Sequence, residues 1–166
     1  MALNRSRVDV LCVPRDIDKV VDPNDWSAAL LEWTQAGLLR ADRPTARFVE
    51  GGAKGIRLDR PARRVVYGNQ LGGFRVRCPQ CGGGVARAFA AAMEAARDTG
   101  PLLASVVCAS CGHGARLTEV VARPPIQIGR CAVVLTDVEG VSLSPAGRAA
   151  VEGLLGPMAV VLRRTS

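Results

Sequence analysis

Apolar residues change their spacing several times along this chain, and each change marks a different element. The run Val8 to Val13 is short and almost continuously apolar, as expected of a buried strand. In "DPNDWSAALLEWTQAG" the spacing becomes helical. Trp26, Ala29, Leu30 and Trp33 fall on one stripe, with Asp22 at the N-cap, Pro23 in the first turn and Asp25 three residues after the cap. Both tryptophans are expected to face inward. From Ala46 to Val76 the pattern breaks into "ARFVE", "IRLD", "RRVVY" and "GFRVR", separated by turns rich in Gly or containing Pro, which read as small antiparallel strands. Arginine alternates with apolar residues in several of them, so the arginines should share one exposed face.

Helical spacing returns at Val85, Phe89, Ala92, Met93 and Ala96, and this helix should stop before Gly100 and Pro101. "LLASVV" reads as a strand and "ARLTEVV" as its return before Pro124 and Pro125. The last segment is a strand, helix, strand unit: "CAVVLTDV", a helix from N-cap Ser144 and Pro145 through Leu155, a stop at Gly156 and Pro157, then "MAVVLRR". The elements imply an α+β fold, a small mixed sheet with two or three helices. Residues 1–66 and 124–166 are expected to form one α+β domain around an insertion at 67–123.

Composition supports a packed globule. The chain has 166 residues and is 48% hydrophobic, with aromatics at 4%, so its core must rely on Val, Leu and Ala. The stretch "MALNRSRVDV" has no long apolar core, and no window approaches the roughly 18 apolar residues of a membrane span. The expectation is a soluble, cytoplasmic protein with no membrane partner. Six cysteines in this length fall short of a disulfide-scaffold density, which fits a reducing compartment.

Charge is unevenly placed. Residues 46–130 hold 13 Lys or Arg against 5 Asp or Glu, an excess of 8 in a chain whose net charge is +7. The basic excess therefore belongs to the middle of the chain, where four of the six cysteines also lie.

Those four are Cys78 and Cys81 in "CPQCG", and Cys108 and Cys111 in "CASCGHG". Two C-x-x-C turns, each followed by glycine, suit a tetrahedral four-thiolate metal site. A redox pair is the alternative, since Cys81 lies near a helix start. The two turns resemble the knuckles of the zinc-ribbon and zinc-knuckle class over residues 75–120, with a helix taking up the 26 residues between Cys81 and Cys108. The resemblance implies an inserted zinc-ribbon-like module with a structural Zn²⁺. A site closed by four cysteines leaves no position for water or substrate, so it would stabilise a surface rather than perform chemistry. His113, the only histidine, reads as exposed or as a neighbour of the ligands.

Between Lys54 and Arg77, the basic residues Lys54, Arg57, Arg60, Arg63, Arg64, Arg75 and Arg77 face a single acid, Asp59. Tyr67 and Phe74 are interleaved with them, so arginines could grip phosphates while a ring stacks on a base. A solvated strand face with buried rings is the competing reading. The first expectation is a non-enzymatic zinc-binding protein that binds nucleic acid through this surface. The second is an adaptor, inhibitor or immunity-type protein docking on an acidic protein partner. No catalytic constellation emerges: "EGGAKGIR" lacks the order of a phosphate-binding loop, the acids at 16, 18, 22 and 25 lack an EF-hand spacing, and Asp137 and Glu139 read as a solvated turn. Cys12 and Cys131 read as buried thiols.

Overall fold

The computed structural model of the protein describes residues 6–98 and 105–166. The first five residues, the helix stop at Gly100 and Pro101, and residues 102–104 of the expected "LLASVV" strand lie outside these.

The apolar run at the start forms β1 (Arg7–Pro14), the second strand of a four-stranded antiparallel sheet. β1 pairs along its whole length with β12 (Met158–Thr165), from Arg7 opposite Thr165 to Pro14 opposite Met158. Its other side pairs with β11 (Ala132–Val138), which in turn pairs with the edge strand β4 (Ala53–Asp59). The first and last segments therefore share one sheet. Side chains alternate across it. Val10, Cys12, Val133 and Leu135 meet α1 (Pro23–Gln35) and α3 (Pro145–Leu155), while Leu11, Val13, Val134 and Val161 pack under Tyr67. Two buried faces explain why β1 and β11 read as unbroken apolar runs.

Both expected helix starts are present. The Asp22 carboxylate accepts from the Asn24 N–H at 2.7 Å, and the Ser144 hydroxyl accepts from the Gly147 N–H at 2.9 Å. Trp33 is buried, edge-on to both Trp26 and Phe48. Trp26 is only half-buried, so one tryptophan rather than two faces fully inward.

"ARFVE" is a turn, not a strand. The Thr45 carbonyl accepts from both Phe48 and Val49 N–H groups, and the curled chain drives two adjacent apolar side chains into the same core. A strand with one buried face cannot do this, because neighbouring residues point to opposite sides. Phe48 also explains Gly147, since a Cβ there would collide with the Phe48 carbonyl. Just before this turn lies a hairpin that the apolar pattern does not announce, β2 (Leu39–Arg40) and β3 (Arg43–Pro44).

The middle of the chain contains three short ribbons. β5 (Val65–Tyr67) pairs with β10 (Gln127–Gly129), β6 (Arg75–Arg77) with β9 (Val121–Arg123), and β7 (Ser105–Val107) with β8 (Gly114–Arg116). "ARLTEVV" is thus split between β8 and β9. Glu119 makes the break: its carboxylate accepts from the Arg116 N–H at 2.8 Å and its own N–H donates to the Arg116 carbonyl. α2 (Ala86–Ala96) lays Phe89, Ala92, Met93 and Ala96 over Val76, Val106, Leu117 and Ile128, giving this unit its own apolar core. The fold is α+β, with the four-cysteine cluster in this inserted unit. Among the described residues no helix is long and apolar enough to cross a membrane.

Candidate metal centre and the basic ribbon beside it

Each C-x-x-C segment forms the same tight turn. Gly82 N–H donates to the Cys78 carbonyl at 2.9 Å, and Gly112 N–H to the Cys108 carbonyl at 2.8 Å. Both glycines have left-handed φ, 76° and 75°, a conformation that other residues adopt only with strain. The turns are closed from outside by Cys78 N–H to the Gly83 carbonyl and by Cys108 N–H to the His113 carbonyl. Gly83 has a further role, because a Cβ there would press on Cys81 Sγ and Ser110 of the opposite turn.

The four Sγ atoms of Cys78, Cys81, Cys108 and Cys111 lie within 4.8 Å of one another. Cys78 to Cys111 is 3.8 Å and Cys81 to Cys108 is 3.6 Å. Four sulfurs about 2.3 Å from a shared tetrahedral metal ion would stand about 3.8 Å apart, so the donor set fits such an ion. Cys78 and Cys108 are buried, whereas Cys81 and Cys111 are exposed, placing the cluster at the rim of the α2 core. Backbone N–H groups of Cys111 and Ser110 aimed at the Cys108 sulfur favour its thiolate and pull its pKa down to about 6. Although the His113 backbone N–H favours the Cys111 thiolate, burial and the neighbouring sulfurs push that thiol the other way, up to about 12, so the four sulfurs share protons unevenly, and a metal ion would need all four as thiolates. The His113 ring is not part of the cluster.

The expected basic surface separates into two groups. Arg63 is committed to Asp98, with its Nη2 2.8 Å from Oδ2, and this pairing holds the Asp98 carboxyl below its usual range. Arg64 is buried and forks onto Asp18 through two 3.0 Å hydrogen bonds, while its third contact caps the Ala96 carbonyl at the end of α2. Tyr67 is buried beneath the main sheet, where burial pushes its phenol up, and Phe74 is half-buried against the α2 core. Arg57 is exposed on the edge strand β4, and Arg60 is exposed just beyond that strand's end, near Cys131.

Arg75 and Arg77 remain exposed beside the cysteine cluster. They flank the buried Val76 on β6, so both point outward. Directly opposite Arg75 stands Arg123 of β9, also exposed. Arg75 and Arg123 have no ion pair among the described residues. Arg77, Val121 and Arg123 share a shallow cleft of about 470 Å³ with Cys78, Pro79 and Gly82. Arg123 lies 46 positions after Arg77 and outside the basic run. Only the β6–β9 register brings it to that site.

No protein-family model, curated protein sequence or solved structure matches the chain.

Proposed function

We propose that the protein is a zinc-stabilised nucleic-acid-binding protein, with a structural Zn²⁺ on Cys78, Cys81, Cys108 and Cys111 and a phosphate-contacting surface on the outer face of the β6–β9 ribbon. The observation that carries the reading is the direct juxtaposition of Arg75 and Arg123 without a counter-charge among the described residues. Like charges opposite each other across a ribbon are destabilising, and an anion seated between them reverses the sign of that interaction. With Arg77 beside them, three guanidinium groups form a short basic track anchored next to the metal turn. Guanidinium groups suit phosphate oxygens through paired donors. The thiolate site supports this as a scaffold. Four cysteines satisfy zinc without an open position, so the metal fixes the turn that carries Cys78 at the end of β6 rather than activating water. The protein on this reading is a binding module, not an enzyme.

Fluorescence anisotropy with labelled single-stranded and duplex DNA and RNA, titrated over salt concentration, tests the proposal. Binding should weaken steeply with salt, the log–log slope steepening by about 0.7–0.9 for each phosphate that the protein neutralises. Arg75→Gln with Arg123→Gln should lower affinity and flatten that slope by about 1.4–1.8 while leaving zinc content unchanged. Absence of salt-sensitive binding to every probe, together with recovery of an acidic protein from the native host, would favour the docking alternative instead.

A further inference from the structure

A second basic site lies at the other end of the main sheet. β1 begins there at Arg7, β4 begins at Ala53, and β11 ends at Val138, whereas the metal-bearing unit leaves from the opposite end of β4. A cleft of about 1100 Å³ opens at this end, with Arg7, Arg40, Arg43 and Lys54 on its walls together with Asp137 and Glu139. Lys54 is matched to Asp137 at 2.6 Å. Arg7, Arg40 and Arg43 therefore outnumber the remaining acids, Glu139 and the terminal carboxylate of Ser166, which also lines the cleft. All three are exposed, and none has an ion pair among the described residues. Arg40 and Arg43 are cross-strand partners in the β2–β3 hairpin, held side by side by the two-residue turn between them. Gly51 and Gly52 also line the cleft, presenting backbone without side chains.

Paired guanidinium groups converging with a third from another strand match the several oxygens of a compact polyanion better than a single carboxylate. Among the described residues no aromatic side chain lines the cleft, so none of them would stack on a base. We infer that this cleft is a second binding site, separate from the β6–β9 ribbon, for a small phosphate-bearing polyanion held by Arg7, Arg40 and Arg43. It needs no metal, and it stands whether or not the ribbon binds nucleic acid.

Calorimetric titration of the zinc-loaded full chain with inorganic pyrophosphate at low ionic strength tests this. A saturable one-to-one signal is expected. Arg40→Gln with Arg43→Gln should weaken it by about tenfold per guanidinium removed, and Arg7→Gln alone by about tenfold, given typical strengths of charge-assisted hydrogen bonds. Thermal melting should show that these exposed substitutions leave the chain folded. Arg87→Gln, at an exposed arginine of α2 outside both basic sites, should leave pyrophosphate binding unchanged. The inference is overturned if no saturable signal is found. It is equally overturned if the signal survives Arg40→Gln with Arg43→Gln, which would place the anion elsewhere or reflect zinc extraction, or if Arg87→Gln weakens it as much, which would mark a general charge effect.

Discussion

Burial pushes the Cys12 thiol from its ordinary 9.0 up to about 12, whereas backbone N–H groups of Cys111 and Ser110 pull Cys108 down to about 6. One residue type thus takes opposite chemistry from its surroundings. Cys12 has a folded pKa above its unfolded value, so its neutral form stabilises the fold fully below about pH 9, and that contribution is lost as pH rises from 9 towards 12. Raising the pH to about 10.5 should therefore remove about 1–2 kcal/mol through this group, read as a drop in the urea midpoint. Cys131 and Tyr67 are shifted in the same direction, so Cys12→Ala should flatten the alkaline slope without abolishing it. An unchanged slope would show that Cys12 ionises equally in both states. At this scale the four cysteines that cluster were legible, because two C-x-x-C turns followed by glycine carry their own local geometry. The partners of the arginines were not. Nothing near Arg64 in the chain points to Asp18, 46 residues earlier, and nothing near Arg75 points to Arg123.

Elements announced themselves where periodicity was long and punctuated. α1 and α3 start at the expected caps, and the apolar runs at both ends of the chain are strands. Short segments were harder, since two to five residues hold too little period to separate a strand from a turn. "ARFVE" folds as a turn because Phe48 and Val49 both find the helical core. The β2–β3 hairpin leaves no such mark, because its turn residues, Ala41 and Asp42, are not the pair that usually signals a turn. Both adopt left-handed φ, 49° and 59°, where an ordinary side chain costs about 1 kcal/mol or more. Ala41→Asn with Asp42→Gly should consequently raise stability by about 1–2 kcal/mol in chemical denaturation. Loss of stability would mean that Ala41 or Asp42 makes a compensating contact.

Among the described residues, apolar side chains collect around three centres: the helices over the main sheet, α2 over the ribbons that carry the cysteines, and the opposite face of the main sheet under Tyr67. Cys78 and Cys108 belong to the second, so the metal and that core should stand or fall together. Removing the metal with a chelator, or replacing Cys78 by Ser, should abolish hydrogen-exchange protection in β6–β9 and α2, while β1 and β12 keep theirs. Uniform loss of protection would show a single cooperative unit instead. The α+β class, the two capped helices, the apolar outer strands and the pair of C-x-x-C turns follow from the chain alone, because each rests on period, capping or spacing within a few residues. Tertiary structure alone decided which arginines are spent on Asp18 and Asp98, that Arg75 stands opposite Arg123, and that Arg7, Arg40 and Arg43 converge on one cleft. Those outcomes depend on strand register and on which ends of a sheet coincide, and pairings between distant residues leave no local mark in the chain.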